Sequence, residues 1–198
     1  LGDVYKRQIL NKETGLIPKG GRRLVSQCGI FEYEGRFIMI TDAAINIAPD
    51  VETQIGIVEN ALPVARALGV ECPKVAVLSA VENVTDKMPS TVTAREIAER
   101  GVEGCVISGP LALDGAISME SVKHKAIKDP VAGQADILLV PFIEIGNVLY
   151  KACSYIAGKT MASTICGASC PVIITSRADT PDSKYYSILM AVLRCLKA

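Results

Sequence analysis

An α/β fold built on a mainly parallel sheet is what this sequence predicts, and three observations carry the prediction. Apolar runs of strand length alternate with segments of helical period, at the spacing of βαβ units. The run Ile137-Leu-Leu-Val140 is continuously apolar, as a strand covered on both faces must be. Hydrophobic residues make up 49% of the 198, enough to bury a core.

Residues 24–30 and 37–41 read as the arms of a β-hairpin across the turn Glu34-Gly35. Asp50, after Pro49, offers an N-cap to a helix on which Ile55, Val58, Leu62, Ala65 and Leu68 recur until Gly69 stops them. Residues 74–79 are a short buried strand. Thr93-x-x-Glu96 has capping-box spacing ahead of Ile97 and Ala98, so a helix is expected there, closing at Gly101. Residues 105–108 form the next strand, 118–127 a short helix, 136–141 a strand and 148–157 a helix. Segments 163–166 and 172–175 are strands, and 184–197 is a final amphipathic helix. Neither a repeat nor a Pro/Ser-rich linker interrupts the chain.

Several function classes fall away on composition. Lys and Arg total 21 and Asp and Glu total 21, so no overall field draws the chain to nucleic acid or an anionic membrane, and no basic stripe is interleaved with aromatics. Mean hydropathy is +0.32, yet the apolar runs fall well short of the roughly 20 residues that span a bilayer. Seven cysteines without a C-x-x-C pair fit reduced thiols in a cytoplasmic protein, with Cys105, Cys166 and Cys195 as core fillers. A single histidine, His124, set between two lysines on a short helix, argues against structural zinc and against a serine-hydrolase triad. Neither G-x-x-x-x-G-K-[ST] nor G-x-G-x-x-G occurs, so no ordinary nucleotide cradle is present.

Ligands of open α/β sheets sit beyond the carboxyl ends of the strands, which directs attention to four loops. Ser108-Gly-Pro-Leu-Ala-Leu-Asp114 presents an acid, Pro130-Val-Ala-Gly133 is built of small residues, Glu144-Ile-Gly-Asn147 follows Pro141, and Thr175-Ser-Arg-Ala-Asp179 precedes a helix. Gly and Pro at such places also serve as plain turn punctuation, and Asp114 and Asp179 as plain helix caps. Ser176-Arg177 is the more telling pair, because a hydroxyl beside a guanidinium at a helix N-terminus suits a phosphate.

Taken in order, these segments resemble the phosphate acetyl/butyryltransferase family, closest to its butyryl branch. The matching stretches are Ile9-Leu-Asn-Lys-Glu-Thr-Gly-Leu16, Thr41-Asp-Ala-Ala-Ile-Asn-Ile-Ala-Pro49, Gly109-Pro-Leu-Ala-Leu-Asp114, Pro130-Val-Ala-Gly133 with Ala135-Asp136, Gly146-Asn-Val-Leu-Tyr-Lys151 and Thr175-Ser-Arg-Ala-Asp179. The resemblance implies a three-layer α/β/α sandwich of the isocitrate/isopropylmalate dehydrogenase type, two domains with a cleft between them, and homo-oligomers. It implies acyl-CoA and inorganic phosphate as substrates, butyryl first, with coenzyme A as substrate and no cofactor or metal. On that analogy residues 1–8 are an unassigned or non-native leader and 9–23 the end of an N-terminal domain region. Residues 24–171 are then the second α/β domain, and 172–198 a strand and helix returning to a first domain that a C-terminal fragment lacks for the most part.

The same resemblance assigns Ser176, Arg177, Asp179 and Asp182 to catalysis and Asp114, Gly133, Gly146, Asn147 and Lys151 to substrate binding. Arg177 would take phosphate charge, Ser176 and Asn147 would hydrogen-bond near the carbonyl, and Asp179 or Asp182 would serve the coenzyme A thiol. Three departures stand out. The acetyl branch's catalytic aspartate falls on Ser183, the arginine that it carries after G-N-x-x-Y-K falls on Tyr155, and Phe142 replaces its usual acid. Alternatives are a phosphate acetyltransferase or a non-catalytic acyl-CoA-binding regulatory domain. A metal-dependent decarboxylating dehydrogenase of the same fold would need aspartates one helical turn apart, and the sequence holds no D-x-x-x-D.

Overall fold

The computed structural model describes residues 8, 11, 15–17, 24–176 and 178–196. Arg177 and most of the segment 9–23 lie outside the described residues.

The chain opens on a hairpin, β1 (Ser26–Tyr33) and β2 (Arg36–Thr41), paired antiparallel with Tyr33 opposite Arg36. Glu34 and Gly35 both take positive φ, 50° and 79°, as the right-handed twist of a two-residue turn requires. Helix α1 (Val51–Ala67) follows, and Asp50 caps it by accepting the Thr53 N–H at 2.8 Å. β3 (Lys74–Leu78) leads to α2 (Pro89–Arg100), which ends at Gly101 with φ 68°. The expected start at Thr93 is therefore four residues late. Pro89 at the first helical position presets φ and needs no N–H partner, while Thr91 Oγ1 accepts the Thr85 N–H at 2.9 Å and steadies the entry.

β4 (Val106–Leu111) ends in two short helices, α3 (Leu113–Ile117) and α4 (Met119–Lys125). The single helix expected over 118–127 is thus broken at Ser118, which closes α3 and caps α4 through the Ser121 N–H at 3.2 Å. β5 (Ile137–Leu139) is followed by α5 (Ile143–Lys151), whose last residues run on into a π-helical turn, Ala152–Ile156. α5 begins five residues before the expected 148, so Glu144 to Asn147 form its first turn and not a loop. β6 (Ala162–Cys166) and α6 (Pro181–Leu196) complete the order. The strand expected over 172–175 is reduced to one bridge, Val172 to Ile165.

The six strands of the described residues form one mixed sheet in the order β4-β3-β5-β2-β1-β6. β2, β3, β4 and β5 are parallel, and β1 runs against both β2 and β6. Side-chain alternation splits the core in two. Ile137 and Leu139 join Ile57, Val58, Ile97 and Met190 of α1, α2 and α6 on one face, whereas Leu138 joins Ala116, Leu149 and Tyr150 of α3 and α5 on the other.

Among the described residues β6 has no neighbouring strand on its outer side, and its outward N–H groups find other acceptors. Met161 N–H donates to Ser183 Oγ (3.3 Å), Ser163 N–H to Ser187 Oγ (2.9 Å) and Ile165 N–H to the Val172 carbonyl (2.9 Å), while Arg194 donates to the Ile165 carbonyl (2.9 Å). Helix α6 thus seals the edge with two buried serines, and Met190 and Ala191 pack beside them. Its opposite face leaves Ile188, Leu189, Val192 and Leu196 exposed. Ser187→Ala should strand the buried Ser163 N–H and cost about 1–3 kcal/mol, read from urea unfolding; an unchanged midpoint would mean that the edge is sealed without it.

Candidate functional site

Two neighbouring parallel strands, β2 and β5, end side by side, and what leaves them is welded together. Thr41, the last residue of β2, accepts the Val140 N–H at 2.9 Å, and Ile47 accepts the Ile143 N–H at 3.0 Å. Between them the 42–46 loop wraps around the carboxylate of Asp42. Oδ1 accepts the N–H of Ala44 (2.9 Å) and Ile45 (3.1 Å), and Oδ2 accepts the N–H of Asn46 (3.1 Å) and its Nδ2 (2.6 Å). Asp42 is 2% exposed. Burial pushes its carboxyl above the usual aspartate range, against the pull of these four bonds.

Helix α5 is pressed onto that loop. A Cβ on Gly146 would lie 2.8 Å from the Asp42 carbonyl oxygen and 2.9 Å from Ala43 Cα, so only glycine lets the helix come so close. Asn147 Nδ2 donates to the Ala43 carbonyl at 3.3 Å. One turn later Tyr150 lays its ring over Gly29 of β1, where a Cβ would come within 2.6 Å of the ring. Burial, reinforced by the charge of Asp179, pushes the Tyr150 hydroxyl well above its ordinary pKa. Gly29→Ala should therefore displace the ring and cost about 1–3 kcal/mol by overpacking; a variant as stable as the parent in urea would show that the ring moves aside freely.

Asp179 belongs to the turn ahead of α6. Its Oδ2 accepts the Ser176 N–H at 2.6 Å, its own N–H donates to the Ser176 carbonyl at 3.2 Å, and the Ala178 N–H donates to Ser176 Oγ at 3.3 Å. The cap of α6 is Thr180, whose Oγ1 accepts the Ser183 N–H at 3.2 Å, so Asp179 closes the turn and does not cap the helix. Asp182 sits exposed in the first helical turn, where the macrodipole favours a carboxylate. Ser183 is buried on the β6 edge, so the position where the acetyl branch carries its aspartate is taken up by packing here.

Asp114 and Gly133 make their own bonds, to partners outside this group. Gly133, with φ 74°, donates its N–H to the Gly115 carbonyl at 2.8 Å, which sets the 130–133 loop against α3, close to Asp114. Asp114 is ion-paired with Lys125 (2.9 Å), which also holds Glu82 (3.1 Å); the lysine's hydrogen bond holds the Asp114 carboxyl below its usual range. Lys151 is exposed at the end of α5, and His124 is exposed on α4. Cys195, expected in the core, is exposed, while Cys28 and Cys166 are fully buried.

Asp42 and Tyr150 were not singled out from the sequence. Asp42 carried a usable signal, an acid directly after a strand; Tyr150 carried none, because its partner Gly29 is 121 positions away in the chain. Among the described residues, no group of three or more His, Cys, Asp or Glu side chains is placed to hold a metal ion, and no helix is long and apolar enough to cross a membrane.

Comparison with known proteins adds the following. The family model described as Phosphate acetyl/butaryl transferase matches residues 5–192. A phosphate butyryltransferase of Clostridium acetobutylicum is 44% identical over 196 residues, covering 96% of this chain and 64% of that protein. A phosphate acetyltransferase of Thermotoga maritima is also 44% identical over 196 residues, covering 97% of this chain and 66% of that protein. Among solved structures, a branched-chain phosphotransacylase from Enterococcus faecalis V583 superposes with a TM-score of 0.87 at 40% identity, over 96% of this chain and 68% of that one.

Proposed function

Because the chain belongs to the phosphate acetyl/butaryl transferase family, we propose that it forms part of an enzyme that passes a short acyl group between coenzyme A and inorganic phosphate. Butanoyl-CoA and phosphate would give butanoyl phosphate and coenzyme A. The chain spans 64% of the length of the butyryltransferase that it matches. The acetyl alternative has a specific support of its own, since the T. maritima acetyltransferase is equally similar at 44%.

The single observation that supports the reading is that the charge of Asp179 reaches the Tyr150 hydroxyl, as expected if the turn ahead of α6 and the Gly146–Lys151 segment of α5 face one site. In the forward direction a phosphate oxygen attacks the thioester carbonyl, charge collects on the carbonyl oxygen, and the C–S bond breaks with its electron pair on sulfur. Arg177 would hold phosphate, Ser176 and Asn147 would donate toward the developing oxyanion, and Asp179 or Asp182 would exchange the proton of the thiol. Positioning and fixed charge suffice for such a step without a covalent enzyme intermediate.

Asp114, Gly133 and Lys151 are retained as binding residues for the larger substrate. We further propose the dehydrogenase-type sandwich, with 24–171 as the second domain and 172–198 returning to a first. The mixed sheet with helices on both faces supports this, as does the uncovered apolar side of α6. A homo-oligomer and a cytoplasmic, reducing location belong to the same reading, the latter supported by seven cysteines without a disulfide.

The test is phosphate-dependent release of free thiol from butyryl-CoA and acetyl-CoA, measured on this chain and on a version extended by any upstream coding sequence. Turnover of butyryl-CoA ahead of acetyl-CoA is expected. Binding of acyl-CoA without phosphate-dependent release in both versions would replace the enzyme reading with that of a regulatory binding domain.

A further inference from the structure

At the amino ends of β3 and β4, the opposite end of the sheet from the 42–46 loop and α5, two cysteines flank one backbone hydrogen bond. The Val106 N–H donates to the Pro73 carbonyl at 3.0 Å; Cys105 directly precedes the donor and Cys72 directly precedes Pro73. The register is that of the parallel pair that follows, Lys74 opposite Val106, so Cys105 stands beside Pro73 and one residue from Cys72. Strands lie about 4.8 Å apart and successive Cα atoms about 3.8 Å. The Cα atoms of Cys72 and Cys105 are then about 6 Å apart, within the span that a disulfide bridges.

Both sides of this arrangement are held in place. The Lys74 N–H donates to Asp136 Oδ2 and the Lys74 carbonyl accepts the Asp136 N–H, each at 2.8 Å. On the other strand, Gly101 and Gly104 take positive φ, 68° and 85°, and Gly104 packs against the Arg66 guanidinium from the last turn of α1. The two thiols differ in their surroundings. Cys72 is exposed, whereas Cys105 is half-buried, its Sγ directed at the Val102 carbonyl (3.3 Å) and its side chain against the α1 and α2 side of the core. Burial, reinforced by the charge of Cys72, pushes the Cys105 thiol up to about 11, against the pull of Arg66. Filling the core explains a cysteine at 105, but it does not explain an exposed thiol across the same hydrogen bond.

We propose that Cys72 and Cys105 are a redox pair, closed into a disulfide bond by a small-molecule disulfide of the glutathione class. The inference does not rest on the acyl-transfer reading. Cys72, as thiolate, attacks one sulfur of the oxidant, whose S–S bond breaks, and one small thiol leaves with the electron pair and takes up a proton. Cys105 then gives up its proton and attacks the Cys72 sulfur of the mixed disulfide, and the second small thiol leaves in the same way. Two protein thiols are oxidised to one disulfide while one oxidant disulfide is reduced to two thiols. Exposure sets the order, since Cys72 is the thiol that a dissolved oxidant meets first. The bond ties the amino ends of β3 and β4 and closes the 72–105 loop, which contains α2.

The reduced chain is incubated with oxidised glutathione, and each cysteine is followed by non-reducing peptide mass spectrometry. Cys72 should carry glutathione first and then lose it as a linked Cys72–Cys105 peptide appears, while Cys170 and Cys195, also exposed, carry glutathione only. In Cys105→Ser, the glutathione on Cys72 should persist about tenfold longer or more, because no neighbouring thiol displaces it. The oxidised parent should unfold at higher urea than the reduced parent, and Cys72→Ser, at an exposed position, should show no such shift; this second variant decides the matter if Cys105→Ser loosens the core. Glutathione that stays on Cys72 beside a free Cys105 thiol would overturn the proposal. So would a bond from Cys72 to any other cysteine or to a second chain.

Discussion

Arg177→Ala is expected to lower phosphate-dependent thiol release from butyryl-CoA by about 10²-fold or more while leaving the unfolding midpoint in place, as for removal of a preorganised charge partner. The turn that carries this position is closed by bonds among Ser176, Ala178 and Asp179, which the substitution leaves intact. Arg177→Lys separates the two ways in which a cation could act. If a planar, bidentate grip on phosphate matters, lysine restores little; if charge alone matters, it restores most of the rate. A rate for the alanine variant within a few-fold of the parent would take Arg177 out of the site and leave Ser176 and Asn147 as its polar groups.

Asp42→Ala should be the most damaging single change to the fold around the site. It would leave the N–H groups of Ala44, Ile45 and Asn46 without their acceptor, and the Asn46 amide with only the Val25 carbonyl. Stranded donors cost about 1–3 kcal/mol each when water cannot reach them, so a loss of about 3 kcal/mol or more is expected in urea unfolding. The 42–46 loop also supports Gly146 and Asn147, so the candidate site should loosen with it. A pH series adds a second readout. Burial raises the Asp42 pKa in the folded chain, so the folded state binds this proton more tightly than the unfolded one. The stability that this confers is present below about pH 3.9, the ordinary aspartate value, and is lost as pH rises through the raised one. Asp42→Asn should abolish that part of the slope; an identical slope in parent and variant would show that another group carries it.

The features that could be read in advance are those whose cause is local. Glu34-Gly35 could be read as a turn because glycine adopts positive φ freely, and Asp50 as a cap because its side chain reaches the Thr53 N–H from the next turn. Alternation of strand and helix followed from apolar period, and so did the burial of Ile137, Leu138 and Leu139 on two opposite faces. Where two local signals competed, the stronger backbone constraint won. Pro89 started α2 ahead of the capping box at Thr93, and Ser118 split the helix expected over 118–127.

By itself, then, the sequence determined an α/β chain with a hairpin, the family to which its ordered segments belong, and the loops in which polar chemistry could gather. Only the tertiary structure decided which of those loops meet. It joined α5 to the 42–46 loop through Gly146 and set Asp179 within electrostatic reach of Tyr150, but it left Asp114 tied to Lys125 and Glu82 beyond the carboxyl ends of β3 and β4. It also turned the serines of α6 inward to satisfy the β6 edge and left Ile188 and Leu196 outward, the reverse of what hydrophobic period alone would choose. The physical reason is common to all of these. Turns, caps and periodicity depend on residues within a few positions of each other, whereas a buried carboxylate, a ring over a glycine or an unpaired strand edge is satisfied by whatever distant residue the sheet order carries next to it.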